Sequence, residues 1–269
     1  KKEKRNNKKK GNRMRKLIFV DGDIILYKAC FASEMEIYWG DGDWTLSMNE
    51  EQAKTVAREI IEDIRLACSV KKSTIRICFS NGKSFRKDVY PEYKANRKNL
   101  RKPLGFKALK RWLSHEYKNI QYDYLEADDV IGIHMTKPGK MIKIAVSIDK
   151  DMKTIPGIHY NPDTGESFEI TEAEADYNFY RQTLTGDSTD NYPGCPSVGP
   201  KTADKILEKH KPEEYWDAIV GTYRKNNVGN ELQMARLARI LRWEDFDFPT
   251  KTPLLWDSDG SRTFRTLSL

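Results

Sequence analysis

Hydrophobic residues follow two rhythms along this chain. Leu17-Ile18-Phe19-Val20 is an unbroken apolar run ending in Asp21-Gly22-Asp23, the pattern of a buried strand whose turn exposes acids at its carboxyl edge. Thr74 to Phe79 reads as a second strand and Gln121 to Tyr124 as a short third. Met141 to Ile148 alternates, then runs apolar, and ends in Asp149-Lys150-Asp151. Between these runs the spacing becomes helical. Ala53, Val56, Ala57, Ile60, Ile61, Ile64 and Ala67 recur after an Asn49 cap, which predicts a helix from Asn49 to Cys68. Phe106 to Tyr117, Glu126 to Met135, Thr171 to Leu184 and Pro200 to Lys209 have the same character. Glu34 to Met48 reads as a loop or hairpin with Glu36, Asp41 and Asp43 solvated.

Strands alternating with helices predict an α/β fold around a mostly parallel sheet. In such sheets the carboxyl edges of neighbouring strands lie side by side, and ligands bind there. Asp21, Asp149 and Asp151 would then meet near the helix that begins at Glu126. A turn at Asn161-Pro162-Asp163-Thr164-Gly165 precedes a helical, less basic stretch. The predicted organisation is a basic arm at 1–15, an α/β domain at 16–166 and a helical region at 167–269.

Charge sharpens this picture. The 269 residues carry a formal net charge of +7 with 32% charged residues, and the signs are unevenly spread. Lys1 to Lys16 is nearly all Lys, Arg, Asn and Gly, which predicts a flexible basic arm and no secretory signal. From Lys83 to Lys102, eight cations face only Asp88 and Glu92, so a polyanion is the expected partner. If Pro91 opens a helix and Pro103 closes it, Lys94, Arg97, Lys98 and Arg101 form one cationic stripe that favours phosphate. Tyr90 and Tyr93 offer faces for a splayed base. No apolar run approaches the roughly 18 to 20 residues of a membrane span. The four cysteines are scattered, which indicates neither zinc nor disulfides and fits a reducing, cytoplasmic setting.

The densest acid lies at Glu126, Asp128 and Asp129, just ahead of an apolar helical run. The residues alone leave two readings open, a metal cluster and an acidic cap on the helix dipole. Gly186-Asp187-Ser188-Thr189-Asp190-Asn191 adds further acids. Gly194 and Gly199 then flank a tight hairpin between helices, with Pro200 and Lys201 opening the second and backbone N–H groups presented to a phosphate. His115, His134, His159 and His210 show no ligand spacing and read as structural.

Val20-Asp21-Gly22-Asp23, Tyr90 to Arg97, Glu126-Ala127-Asp128-Asp129, Ser147 to Asp151 and Gly186 to Asn191 together resemble, in the same order, the 5′ nuclease superfamily of flap endonucleases and 5′-to-3′ exonucleases. Gln233-Met234-Ala235-Arg236 and Arg239-Ile240-Leu241-Arg242 also resemble the tail of the exonucleases of T7-like bacteriophages. The likeness spans roughly residues 16 to 256 and leaves out the arm and the Glu34 to Met48 segment. It implies a PIN-like α/β nuclease domain with two Mg²⁺ or Mn²⁺ ions, joined to a helix-three-turn-helix that grips duplex DNA and has a place for K⁺.

The resemblance also implies roles for individual residues. Asp21, Glu126, Asp128 and Asp129 correspond to ligands of a first ion; Asp149, Asp151, Asp187 and Asp190 to those of a second. Lys94 corresponds to a lysine on the scissile phosphate, Arg97 to its neighbour at a threading gateway, Tyr93 to a stacking aromatic and Arg86 to a phosphate contact. Lys98, Arg101, Gly194, Gly199 and Lys201 complete the expected DNA surface. Asn81 stands where the family usually has Asp, keeping an oxygen but losing the charge. Oxygen donors without His or Cys suit magnesium or manganese over zinc. The implied reaction is in-line phosphodiester hydrolysis by a 5′-to-3′ exonuclease on duplex DNA and RNA primers in hybrids, carried out by a monomer, in the host cytoplasm if phage-encoded. The alternatives are a flap endonuclease and a DNA-binding variant impaired at Asn81.

Overall fold

The computed structural model describes residues 15–264; the expected basic arm lies outside the described residues except for Arg15. In chain order the N-terminal elements are β1 (Lys16–Asp21), α1 (Gly22–Phe31), β2 (Glu34–Gly40), β3 (Asp43–Met48), α2 (Glu50–Ala67), β4 (Ile75–Cys78), α3 (Arg86–Val89) and α4 (Phe106–Glu116). β5 (Asn119–Ile120), α5 (Ala127–Thr136), β6 (Ile142–Val146), β7 (Gly157–Asn161), β8 (Glu166–Ile170) and α6 (Glu172–Thr185) follow. The chain continues with α7 (Pro200–Leu207), α8 (Tyr215–Lys225), α9 (Glu231–Ala238), β9 (Phe246–Asp247), β10 (Thr252–Trp256) and β11 (Arg262–Phe264).

Among the described residues six strands form one sheet in the order β5-β4-β1-β6-β7-β8. Every pairing in it is parallel except β7 with β8. Side chains alternate across the strands, as a pleated ribbon requires. Ile18 and Val20 of β1, Ile75 and Ile77 of β4, and Ile144 and Val146 of β6 pack on one face with α1, α2 and α4. Phe19, Cys78 and Ala145 point to the other face, where Val130, Ile131 and Ile133 of α5 meet Ile240, Leu241 and Phe246 from the C-terminal end. A further apolar cluster joins α6, α7, α8 and α9 and takes in Tyr93 from the basic segment. Among the described residues no helix is long and apolar enough to cross a membrane.

The central mostly parallel sheet flanked by helices is the α/β arrangement expected from the alternating pattern. The Glu34 to Met48 segment is a two-stranded antiparallel ribbon. Two expected elements differ. The short strand is Asn119–Ile120, not Gln121 to Tyr124, where Tyr124 has a positive φ of 62° and turns the chain. The stretch between Pro91 and Pro103 is not an α-helix: Lys94 is left-handed at φ 55°, and only a single 3₁₀ turn follows at Ala95–Arg97. Tertiary hydrogen bonds replace the helical ones. The Lys94 N–H donates to the Asp190 carbonyl (2.8 Å), Asn96 to the Ser188 carbonyl (3.2 Å), and Asn191 donates back to the Glu92 carbonyl (2.7 Å). The cationic stripe of Lys94, Arg97, Lys98 and Arg101 therefore does not exist as one helix face.

Candidate active site

β1 and β6 are neighbours in the sheet but far apart in sequence, and the connection leaves β1 toward β4 on the opposite side. This is a topological switch point, and the crevice beyond its carboxyl ends is where an open α/β sheet receives a ligand. Asp21 ends β1 there and caps α1, its Oδ1 accepting the Asp23 N–H at 3.0 Å. The next residue must be glycine, because a Cβ on Gly22 would stand 2.5 Å from the Phe79 ring and 2.6 Å from Ile77. Past β6, Ser147 donates to Asp21 Oδ2 at 3.4 Å, and Asp149 caps the following 3₁₀ turn by accepting the Asp151 N–H at 2.8 Å. Glu126 caps α5 in a capping box with Asp129, so acidic cap and acid cluster are the same residues.

A narrow cleft gathers Lys94, Glu126, Asp128, Asp149, Asp151 and Asp190. Electrostatics divides these acids into two sets. Burial alone would push the Glu126 carboxyl up, but Lys94 and Arg86 outweigh it and hold it at about 2. Asp187 is treated alike: burial opposes its charge, and the Lys150 ammonium at 3.0 Å, with backbone donors, brings it below the usual carboxylate range. In the other set burial and neighbouring acids outweigh the cations nearby, Lys150 at Asp151 and Lys94 at Asp128. Burial, followed by Asp23, raises Asp21 to about 7; burial, followed by Asp149 and Asp187, raises Asp151 to about 7. Asp128 is raised well above the usual range by burial and then by Asp21 and Asp149. Its Oδ1 is buried with no hydrogen-bond partner. An orphaned carboxylate oxygen among other carboxylates is the signature of a place built for a cation. Among the described residues, however, no three such groups already stand in ligand geometry. Lys94 and Lys150 occupy Glu126 and Asp187.

The predicted residues separate accordingly. Glu126, Asp128, Asp149, Asp151 and Asp190 line the crevice, Asp21 stands beside Asp128, and Asp187 lines the adjoining cavity with Asp151. Asp129 does neither: it is fully buried, and Arg86 holds it through two bonds of 2.7 and 2.8 Å while the Leu241 N–H donates to it at 3.2 Å. Arg86 likewise is no surface phosphate contact. It is 3% exposed, and its guanidinium also reaches the carbonyls of Leu237 (3.0 Å) and Arg239 (2.7 Å). Tyr93 is 2% exposed, so its ring cannot stack on a base; its hydroxyl donates to Glu126 (2.9 Å) and Asp190 (2.8 Å). In each case packing against the C-terminal helices or tail has covered a group that the local sequence left open.

Lys94 reaches Glu126 and stands 3.5 Å from Asp190, and Arg97 pairs with Asp190 at 2.8 Å. Lys98 is exposed. Arg101 grips Glu34 at the base of the β2–β3 ribbon with bonds of 2.6 and 2.8 Å. Asn81 donates to Asp123 at 2.8 Å. Sequence reasoning missed Ser147, Gln182 and the pairing of Lys150; a lysine between two strand-edge acids was the available signal for the last.

In the hairpin before α7, Gly194 has φ 66° and Gly186 φ 65°, and their backbones touch; a Cβ on Gly194 would lie 2.2 Å from the Gly186 nitrogen. Gly194→Ala is expected to cost at least about 2 kcal/mol, since both the left-handed strain and the clash must be relieved. Urea unfolding measures it, and a loss under about 0.5 kcal/mol would show that the two loops part freely. Gly199 caps α7 with Pro200 behind it, and Lys201 is exposed.

Comparison with known proteins places the chain in a family. The family described as 5′-3′ exonuclease, N-terminal resolvase-like domain, matches residues 16–175. The chain is 29% identical over 282 residues to the exonuclease of Escherichia phage T7, covering 89% of this chain and 93% of that protein. It is 35% identical over 185 residues to the flap endonuclease Xni of Shewanella oneidensis, covering 62% of this chain and 70% of that one. The bacteriophage T5 flap endonuclease, solved as a pseudo-enzyme–product complex with DNA and metal ions, aligns with a TM-score of 0.58 over 84% of this chain and 89% of its own, at 15% identity. That likeness establishes a common PIN-like fold. With the family match spanning more than half of the residues, the chain belongs to the 5′-3′ exonuclease family and is a nuclease, a phosphodiester hydrolase.

Proposed function

We propose that this protein is a divalent-metal-dependent 5′-to-3′ exonuclease that shortens duplex DNA from its 5′ ends. The observation that carries the reading is the buried, partnerless Asp128 oxygen amid Asp21, Asp149 and Asp151, a concentration of acid that only added positive charge relieves. Asp21, Asp128 and Glu126 would hold one Mg²⁺ or Mn²⁺ ion, and Asp149, Asp151, Asp187 and Asp190 another; the metal ions named with the T5 relative support divalent-metal dependence. Bound there, such ions supply an activated water and neutralise charge on the scissile phosphate and the departing oxygen.

The chain's own residues do the rest. Lys94, fixed by its left-handed backbone and by Glu126, sets an ammonium in the crevice lining where phosphate charge would develop. Arg97 holds Asp190 toward the crevice, and Tyr93 keeps Glu126 and Asp190 in register through one hydroxyl. The Gly194 to Lys201 hairpin and the groove of about 720 Å³ between α7 and α8 carry Lys205, Lys209 and Lys225 beside Glu214 and Asp217. These cations support duplex binding along the C-terminal helices. Action on RNA in hybrids rests on the family resemblance.

A flap endonuclease is the second reading, favoured by the names of the Shewanella and T5 relatives. End-labelled blunt duplex and a 5′-flap substrate, each with Mg²⁺, separate the two. Short products from the blunt 5′ end support the exonuclease; cuts confined to the flap junction support the alternative. If neither substrate is cut until Asn81 is changed to Asp, the variant reading holds instead.

Two quantitative outcomes follow from the charge distribution. Lys98 is exposed and outside the acid cluster, so Lys98→Ala should weaken DNA binding and reduce the salt slope by about one unit with turnover at saturation kept. A fall in saturated turnover would move Lys98 into the chemistry. The second outcome concerns pH. Asp21 and Asp151 have folded pKa values near 7, above the usual 3.8. The stability they contribute while protonated is complete below the unfolded value and lost as pH rises through about 7. The ion-free protein should therefore weaken across that window, and saturating Mg²⁺ should raise the melting temperature more at pH 8 than at pH 5. Equal gains at both would show that these carboxyls do not bind the ion.

A further inference from the structure

Beside the acid cluster lies a second cavity of about 300 Å³ that the proposed chemistry leaves unused. Asp151 and Asp187 form one wall; Lys153, Asn178, Arg181 and Gln182 line the rest. Lys150 stands at the junction. Its Nζ lies 3.0 Å from Asp187 Oδ2, yet its side chain is 72% exposed while that of Asp187 is 3% exposed. Lys94, the other lysine on the cluster, is 19% exposed. One ammonium is thus walled in and the other is tethered only by its tip.

We propose that Lys150 is an internal counter-ion for Asp187 that a divalent ion displaces, and that its freed ammonium then binds a phosphate of the nucleic-acid strand in the adjoining cavity. The proposal rests on the metal reading given above. An ammonium and a divalent ion cannot both take the same carboxylate oxygen, and the ion brings twice the charge to a buried group. The exposed Lys150 stem turns away at little cost, because no packing holds it. A phosphate entering the cavity from the crevice would then meet Lys150 and Lys153 together. Arg181 already holds Asp204 at 2.5 Å and braces the far wall. Before the ion arrives the same cavity is less attractive to a phosphate, since Lys150 is engaged, so strand binding becomes coupled to ion binding.

The test compares Lys150→Gln with Lys153→Gln, which removes an equal charge from the same cavity without touching Asp187. Calcium titration calorimetry, thermal melting with and without Ca²⁺, and anisotropy of a labelled duplex, its integrity checked on a gel, are measured for both. Lys150→Gln should tighten the second ion about two- to fivefold, the range expected for losing one partly exposed ion pair. It should lower the melting temperature of the ion-free protein but not of the saturated one, and weaken duplex binding only when Ca²⁺ is present. A melting loss that persists at saturation would mean that Lys150 stays on Asp187, and an equal gain in ion affinity from Lys153→Gln would reduce the effect to general charge; either overturns the proposal. Equal weakening of DNA binding with and without Ca²⁺ also overturns it. If the unaltered protein takes up no second ion, the two-ion reading itself falls, a result distinct from two ions binding identically in both variants.

Discussion

Lys94→Ala is expected to lower single-turnover cleavage by about two to three orders of magnitude, the usual cost of removing a preorganised donor aimed at developing charge. The proposed function gives Lys94 that role by its position. Its backbone is left-handed at φ 55° and its N–H is fixed to the Asp190 carbonyl, so the side chain emerges in one direction over Glu126. Removing the ammonium also frees Glu126, whose charge Lys94 and Arg86 sustain against burial. Duplex affinity should change far less than the rate, because Lys94 is largely enclosed beside Glu126 and Asp190 while exposed cations such as Lys98 remain. Rapid-quench kinetics at saturating DNA distinguishes the two. A variant that cuts at the normal rate once bound would remove Lys94 from the chemistry.

Arg86→Met carries the largest expected effect on stability, about 3 to 5 kcal/mol, because it strands a buried carboxylate. Asp129 is fully buried, and its charge is met by the Arg86 guanidinium and the Leu241 N–H. The same guanidinium binds carbonyls of Leu237 and Arg239, so it ties α5 to the C-terminal end of the chain. Chemical denaturation should show the loss in full for Arg86→Met. Adding Asp129→Leu should recover part of it, since an apolar pair leaves no unpaired charge. A loss below about 1 kcal/mol would mean that water reaches Asp129.

Much of the sheet is legible in the sequence because strands such as Leu17 to Val20 are buried on both faces and end in acids that cannot continue inward. That ending alone places Asp21, Asp149 and Asp151 at one edge. Local pattern fails where distant segments decide conformation. Pro91 and Pro103 bracket a stretch with helical charge spacing, yet Lys94, Asn96 and Asn191 exchange hydrogen bonds between that stretch and the 188–191 loop, and the helix is lost. Arg86 reads as a phosphate contact and Asp129 as a metal ligand because nothing within a few residues reveals the cover supplied by Leu237, Arg239 and Leu241, more than a hundred positions away. Tyr93 is hidden for the same reason, by the cluster formed with the C-terminal helices. The tail motif is visible only through the family resemblance; its physical role is to close over that ion pair.

Anomalous diffraction from crystals soaked in Mn²⁺ tests the whole account most directly. Two peaks are expected in the crevice, one against Asp21 and Asp128, the other against Asp149, Asp151 and Asp187, with Asp129 still held by Arg86. Manganese absent from these carboxylates, or bound only to acids outside the crevice, would contradict it.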